Sequence, residues 1–247
     1  MLSVVSTVFW GLITLSVLVF IHEGGHFLAA RACGVRVTEF FLGLPCRFRL
    51  ERQSRSCGTV FGVTPLLLGG YAAIAGMDPD VTPHAASVLG YVHRHGFAEV
   101  DRMAEELGLD VDDVLLSCGE LLSMGSIAGA PANGELNDAA YLPMRYASVP
   151  RDRSGNTVLD GRAFMRAEAS QQGEPWVSDM SDDRFLAHER SRTYQGVGFA
   201  KRAFMLLAGI VVNVLCGMLL LMSVYGIVGV QAVSDVNVLG SVEEGSP

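Results

Sequence analysis

The sequence predicts an α-helical membrane protein with two transmembrane helices, a membrane-associated β-hairpin and an inserted winged-helix-like α/β module. The first observation is compositional: of 247 residues, 50% are hydrophobic and 18% are charged. Such a composition excludes a disordered chain and is unusual for a soluble domain. The second observation is that residues 1–22 and 203–234 contain no Asp, Glu, Lys or Arg. The third is that the five cysteines form no C-x-x-C pair, which disfavours a disulfide scaffold or a cysteine zinc ribbon.

The two charge-free runs are long enough to cross a bilayer, which needs about 20 apolar residues in a helix. The first run lacks the basic start and the small-residue cleavage pattern of a signal peptide, and it leads directly into ionisable residues. Basic residues follow the first run and precede the second, and none lies on the opposite side of either run. By the positive-inside rule we expect a multi-pass protein of the cell membrane, with the residues between the spans cytoplasmic and both termini extracytoplasmic.

The predicted segments, in chain order, are a first transmembrane helix (1–45), a membrane-associated β-meander (46–77), a winged-helix-like cytoplasmic insertion (78–142), a mostly polar linker (143–195), a second transmembrane helix (196–234) and a short final segment (235–247). The meander is predicted from strand-like pieces separated by glycines. Its last 19 residues carry no charge. A hairpin that dips into the bilayer against protein and a plain soluble hairpin are both compatible with this stretch.

The insertion has three helical patterns, the second ending at Gly108 and the third at Gly125, followed by a short strand, a loop and a second strand, AAYL. This order is typical of a winged helix, a module that often binds DNA. However, residues 78–142 contain 12 Asp or Glu and only two Arg, a net charge of −10. Such a surface repels phosphates, so we expect no nucleic-acid partner and instead a cytoplasmic protein regulator that binds the insertion.

The chemistry is expected at His22-Glu23-Gly24-Gly25-His26, where the first span meets the cytoplasmic arginines. Positions i and i+4 share one face of a helix, so both imidazoles can bind one Zn²⁺, while Glu23 can take a proton from metal-bound water. The alternative is a pair of histidines at the membrane interface. That alternative does not explain a carboxylate at the end of a 22-residue charge-free run, where burial costs ~2 kcal/mol or more.

From these residues the chain resembles the site-2 protease family of intramembrane zinc metalloproteases, of the bacterial type that contains a PDZ domain. The first span runs into HEGGHFLAARACGVRVTEFFLGLP, as in that family. The stretch TPLLLGGYAAIAGM resembles the family's membrane-associated β-hairpin through Pro65, Gly69, Gly70 and Tyr71. The stretch FAKRAFMLLAGIVVNVLCG resembles its second conserved span, with Asn213 in place and Ile210 where the family has proline. The final SVEEGSP resembles the start of a PDZ domain, whereas residues 78–192 have no counterpart.

The resemblance implies hydrolysis of a peptide bond inside a partner's transmembrane segment, in regulated intramembrane proteolysis. The substrate would be an anti-sigma-factor-like membrane protein or a signal-peptide remnant. His22 and His26 would bind zinc, and Glu23 would be the general base and later the proton donor. The edge that contains Gly69, Gly70 and Tyr71 would pair with an unwound substrate strand. Asn213 would hydrogen-bond the substrate; a helix–helix hydrogen bond is its alternative role.

The third zinc ligand is the one departure from the family pattern. In the family it is an Asp of a later Leu-Asp-Gly motif, in an apolar helix after the PDZ region. Leu159-Asp160-Gly161 occurs here in polar surroundings before the second span. Asp160 is therefore a poor candidate, and we expect the chain to be the N-terminal portion of a longer protease that is inactive alone. A non-catalytic membrane adaptor, which would use the insertion to bind a partner and not need Glu23, is the competing function.

Overall fold

The computed structural model describes residues 2–77, 81–130 and 143–229. Its helices are α1 (Leu2–Ala32), α2 (Ala85–His95), α3 (Val100–Leu107), α4 (Val111–Ser123), α5 (Asp182–Arg190) and α6 (Phe199–Ser223). Its strands are β1 (Val37–Leu42), β2 (Leu50–Gln53), β3 (Val60–Val63), β4 (Gly70–Ile74), β5 (Phe97–Glu99), β6 (Ile127–Gly129) and β7 (Arg145–Ser148). Two 3₁₀ helices (Val158–Ala163 and Arg166–Glu168) and a π-helical turn (Val224–Val228) complete the described elements.

Helices α1 and α6 are the two apolar helices that the sequence predicts. Each belongs to a stretch long and apolar enough to cross a membrane, Val4–Ala32 and Phe199–Ile227. At 31 residues, α1 is about 46 Å long, which exceeds the ~30 Å core of a bilayer. Large apolar side chains such as Trp10 and Ile210 are more than half exposed. An apolar helix surface that protein does not cover is suited to contact with lipid.

By contacts the chain forms two units, Met1–Asn213 and Val214–Pro247. The first unit holds α1 to α5, both sheets and the first part of α6. Of the second unit, the structure describes the remainder of α6 and the π-helical turn. The predicted start of a PDZ-like domain, at 235–247, lies outside the described residues.

The first sheet has the strand order β2-β3-β1-β4 and corrects the predicted meander. Strand β1 lies between β3 and β4, parallel to β3 and antiparallel to β4. Its sequence, VTEFFL, is rich in β-branched and aromatic residues, and it buries Val37 and Phe41 completely. The prediction assigned these residues to the segment of the first helix and so missed the strand. As a result β4 is an edge strand that, among the described strands, pairs only with β1.

The insertion has three helices and a three-stranded antiparallel sheet with the order β5-β7-β6. The predicted glycine ends are confirmed, because Gly108 and Gly125 both have φ of +66° just after α3 and α4. Helices α2, α3 and α4 share one hydrophobic core with Tyr146 of β7 and Phe185 of α5. The predicted strand AAYL lies in residues 131–142, outside the described part of the chain.

The prediction that residues 143–195 form a mostly polar linker is wrong, because this segment is folded. These residues form β7, both 3₁₀ helices and α5, and they contribute Tyr146 and Phe185 to the core of the insertion. The polar composition that suggested a linker has another explanation, because several of the charged side chains are buried in pairs. The segment is therefore part of the folded insertion.

A buried ion network joins the insertion to the end of α1. The buried ion network consists of the ion-paired side chains of Arg36, Arg151, Asp160 and Glu189. Each of these side chains is at most 1% exposed. Arg36 donates to Asp160 and to Glu189, at 2.7 Å each, and Arg151 donates to Glu189 at 2.8 Å. Burial alone would raise the pKa of Glu189, but the charges of Arg151 and Arg36 outweigh it and hold this pKa well below its ordinary value.

Candidate metal centre

The two histidines of the motif face each other on α1. His22 and His26 are four residues apart, and their rings lie edge to face with centroids 4.7 Å apart. The two Nε2 atoms are 3.1 Å apart. Two imidazole nitrogens bound to one tetrahedral zinc ion at roughly 2.0–2.1 Å lie about 3.3 Å apart. The pair is therefore spaced to share one ion without a change of backbone.

Helix α6 fixes the orientation of His26. The Nδ1–H of His26 donates to the backbone carbonyl of Met205 over 2.7 Å, and Met205 is 1% exposed. A carbonyl oxygen can only accept, so the proton of a neutral imidazole is on Nδ1 and the lone pair is on Nε2. This is the arrangement in which a histidine binds metal through Nε2, with its other nitrogen held by a second group.

Asn213, also on α6, is the corresponding neighbour of His22. Its side-chain amide nitrogen lies 3.3 Å from His22 Nδ1. Its Oδ1 is buried and has no hydrogen-bond partner among the described residues. Substrate contact and a helix–helix hydrogen bond were the two predicted roles of Asn213. The contact seen here joins α6 to α1, as the second role requires, but its partner, His22, was not predicted.

Small residues allow α1 and α6 to approach closely at this point. A Cβ atom at Gly25 would lie 2.8 Å from the carbonyl oxygen of Ala208. A Cβ atom at Gly209 would lie 2.5 Å from His26 Nε2 and 2.7 Å from His22 Nε2. Both imidazoles thus rest on the bare backbone of Gly209. Gly209 was not among the predicted site residues, although adjacent small residues in an apolar helix are a recognised signal of helix contact.

Glu23 lies beside the histidine pair, at a cavity of about 220 Å³ that Glu23 and His26 both line. The remaining walls are mostly apolar and come from Ala72, Ile74, Met77, Tyr194, Met205 and Leu206. Glu23 is the one carboxylate among these lining residues. A carboxylate and an imidazole at the same cavity can remove a proton from a water molecule placed between them and return it to a leaving group.

The predicted substrate-contacting residues are placed by β4. Gly70 pairs with Leu42 of β1, and Tyr71 pairs with Phe41. The Tyr71 ring stacks on Phe41 with centroids 5.2 Å apart, and its hydroxyl donates to Glu39 over 2.7 Å. The side chains of β4 that line the cavity are Ala72 and Ile74 instead.

Gly69 precedes β4 in a conformation that favours glycine. Its φ is +149°, and its carbonyl accepts from the backbone N–H of Gly43 over 2.7 Å. A Cβ atom at Gly69 would lie 3.4 Å from the side chain of Val19 on α1. Val19 belongs to the charge-free run, so the turn before β4 lies against the apolar part of the helix.

Asp160 does not join the histidines. Its two carboxylate oxygens accept from Arg36 over 2.8 and 2.7 Å, and one also accepts from the backbone N–H of Thr157. Burial alone would raise the pKa of Asp160, but the hydrogen bond and the positive charge of Arg36 outweigh burial, so this pKa lies below its ordinary value. Within residues 2–77, 81–130 and 143–229, no three His, Cys, Asp or Glu side chains are grouped to hold a metal ion. The described residues therefore bring together two candidate ligands, whereas a catalytic zinc normally has three from the protein.

Comparison with known proteins finds a peptidase family and relatives that are named as proteases. The sequence profile of peptidase family M50 matches residues 10–244. A protein named "Putative zinc metalloprotease" from Helicobacter pylori is 42% identical over 69 residues, which are 27% of this chain and 18% of that protein. The regulator of sigma-E protease RseP from Salmonella typhimurium is 36% identical over 97 residues, 39% of this chain and 20% of the relative. The chain thus aligns with about a fifth of the length of these curated relatives.

Proposed function

Because this chain belongs to peptidase family M50, we propose that it carries the histidine pair and the general base of a zinc-dependent intramembrane endopeptidase that cleaves transmembrane segments of membrane proteins. The observation that carries the proposal is the histidine pair on the apolar helix α1, with Nε2 atoms 3.1 Å apart and Glu23 beside them. Two observations fit an ion at this point. A Cβ atom at Gly209 would fill the space beside both Nε2 atoms, and the amide oxygen of Asn213, which neighbours His22, is buried without a partner among the described residues.

The geometry supports a role for each of these residues. His22 and His26 would hold zinc, and the ion would supply Lewis-acid chemistry for activating a water molecule and the scissile carbonyl. Glu23 takes the proton of the attacking water and later delivers it to the leaving nitrogen. The carbonyl of Met205 keeps His26 in the tautomer that presents Nε2. The apolar cavity walls exclude bulk water from these proton transfers.

The edge strand β4 is the proposed docking element for substrate. A transmembrane helix must unwind locally before its backbone can reach a catalytic centre, and an unwound segment needs hydrogen-bond partners in the bilayer. The free edge of β4 offers such partners by β-addition, with Gly69, Gly70 and Tyr71 at its start and Ala72 and Ile74 at the cavity. The turn of Leu66 to Leu68, about half exposed, would lie in the bilayer beside α1.

The proposed substrate class is a membrane protein of the anti-sigma-factor type or a signal-peptide remnant. The name of the Salmonella relative, a regulator of sigma-E protease, favours the first of these. The arginines that follow α1 and precede α6 support a cytoplasmic position for the residues between the spans.

The insertion is proposed as a winged-helix-like module that binds a cytoplasmic protein regulator and not nucleic acid. Its element order α2-β5-α3-α4-β6-β7, with β7 between the other two strands, supports this assignment. Helix α4 carries Asp112, Asp113 and Glu120 and no basic residue. A third helix with this charge repels a phosphate backbone. Retention of the protein on duplex DNA at micromolar affinity, lost with added salt, would contradict the assignment.

The test of the proposed activity separates chemistry from metal binding. The full-length protein in proteoliposomes is mixed with fusion proteins that carry candidate transmembrane segments, and cleavage and zinc content are measured. Glu23→Gln should lower cleavage by about 10²–10⁴-fold, because it removes only the base, and should leave zinc bound. Glu106→Gln, the same change in an exposed ion pair of α3, is the matched control.

Two outcomes would overturn the proposal. One is cleavage that persists in Glu23→Gln, and the other is zinc binding that His22→Ala does not affect. The adaptor function predicts a different pattern, in which Glu23→Gln leaves cellular signalling intact while disruption of the insertion abolishes it.

A further inference from the structure

The hydrogen bonds of His22 favour a tautomer that cannot bind zinc through Nε2. As the amide of Asn213 is oriented, its NH₂ donates to His22 Nδ1 over 3.3 Å. Nδ1 is then an acceptor, so the proton of a neutral imidazole is on Nε2. That proton points toward His26 Nε2, 3.1 Å away, which is the space where a shared ion would bind.

Zinc binding requires the opposite tautomer of His22. A metal takes the lone pair of Nε2, so the ring proton must be on Nδ1, which becomes a donor and needs an acceptor. Asn213 has that acceptor in its own amide group. Its Oδ1 is buried without a partner among the described residues, and a half-turn of the amide about its terminal bond exchanges the positions of oxygen and nitrogen.

We propose that Asn213 is a positioning residue for the metal centre: its amide turns so that Oδ1 accepts from His22 Nδ1–H, which fixes His22 in the zinc-binding tautomer. Helix α6 then orients both histidines in the same way, by accepting a hydrogen bond from each Nδ1–H. The acceptor is Oδ1 of Asn213 for His22 and the backbone carbonyl of Met205 for His26. This inference rests on the proposed zinc centre. It assigns Asn213 a role that acts through His22 and precedes any contact with substrate.

Two variants of nearly equal size separate the possible roles of Asn213. Asn213→Asp keeps an acceptor beside His22 Nδ1 and removes the NH₂ donor. Asn213→Leu removes both. Val212→Leu, at the neighbouring position on α6, controls for a general disturbance of the helix. Each variant is purified in detergent as the full-length protein, and its thermal unfolding is compared with the parent to confirm the fold.

The main readout is metal binding and does not need proteolysis. Zinc affinity is measured by competition with a chelator, and the visible absorption of the cobalt-substituted protein reports the ligand geometry. We expect Asn213→Leu to weaken zinc binding about 10–100-fold and to change the cobalt spectrum, because the orientation of one ligand is lost. We expect Asn213→Asp to bind zinc at least as tightly as the parent, with a parental cobalt spectrum.

Equal zinc affinity and equal cobalt spectra in all four proteins would overturn the inference and leave Asn213 with a substrate or helix-packing role. Weak binding in both Asp and Leu variants would also overturn it, since it would show that the NH₂ group and not the oxygen is needed. The His22→Ala variant distinguishes these results from failure of the zinc centre. If His22→Ala weakens zinc binding and Asn213→Leu does not, only the inference fails, whereas if neither does, the centre itself is wrong.

Discussion

Replacing Glu189 by glutamine should destabilise the insertion and its junction with α1. Glu189 is completely buried, and it accepts hydrogen bonds from Arg36 at 2.7 Å, Arg151 at 2.8 Å and Ser126 at 2.6 Å. Arg36 follows α1, while Arg151 and Ser126 belong to the insertion. Glutamine has nearly the same volume, so the change removes the charge and leaves the packing in place.

The magnitude depends on what remains around each arginine. Arg36 keeps its pair with Asp160 at 2.7 Å. The other hydrogen bonds of Arg151 go to neutral groups, namely His93 Nε2 and the carbonyls of Ser126 and Gly155. Arg151 is 0% exposed, so Glu189→Gln leaves one buried cation without an anion. A buried charge that loses its partner costs about 3–5 kcal/mol. For a protein of this size the melting temperature should fall by about 10 °C.

The assay is thermal unfolding of the purified protein in detergent, followed by the fluorescence of Trp176, whose ring lies 5.8 Å from the Arg151 guanidinium. Glu106→Gln removes the same charge from an exposed pair on α3 and should leave the melting temperature unchanged. Adding Arg151→Met to Glu189→Gln should recover part of the loss, because the unpaired cation is then gone. A shift for Glu189→Gln no larger than that for Glu106→Gln would refute a stabilising role for the network.

Three further predictions follow from other parts of the structure. Gly209→Ala should weaken zinc binding at least about 10-fold, because its Cβ would lie 2.5–2.7 Å from the Nε2 atoms of both histidines. Gly217→Ala, whose Cβ would have nothing within 4 Å, should leave zinc affinity unchanged, and equal affinities of the two variants would contradict the prediction. Burial and the charge of Arg151 lower the pKa of His93 to about 3, so the unfolded chain binds more protons below pH ~6.5. Unfolding free energy should therefore fall by about 1.4 kcal/mol per pH unit from pH ~6.5 downward, and His93→Gln should flatten this slope; parallel curves for the two proteins would exclude His93 as the cause. Arg153 is exposed, so Arg153→Cys in a chain without its native cysteines should not react with an impermeant thiol reagent in intact cells but should react after lysis. Labelling of this cysteine in intact cells would show that the proposed orientation is wrong.

The sequence alone determined the features that depend on local pattern and composition. Charge-free runs located α1 and α6, since a long apolar helix needs no tertiary information to be recognised. Helical spacing and the glycine ends located α2, α3 and α4. The i, i+4 spacing of His22 and His26 puts both imidazoles on one face of an α-helix, whatever that helix packs against.

Only the tertiary structure decided which distant residues meet. Strand β1 enters the sheet between β3 and β4, so that β4 becomes the edge beside the cavity, and sequence order does not specify strand order. The segment expected to be a linker is held in place because Arg36 meets Glu189, 153 positions along the chain. Asp160 belongs to the same buried network, where it is paired with Arg36 and does not join the histidines. Charged residues look alike in a sequence whether they are solvated or paired, because pairing depends on burial and geometry that form only when the chain has folded.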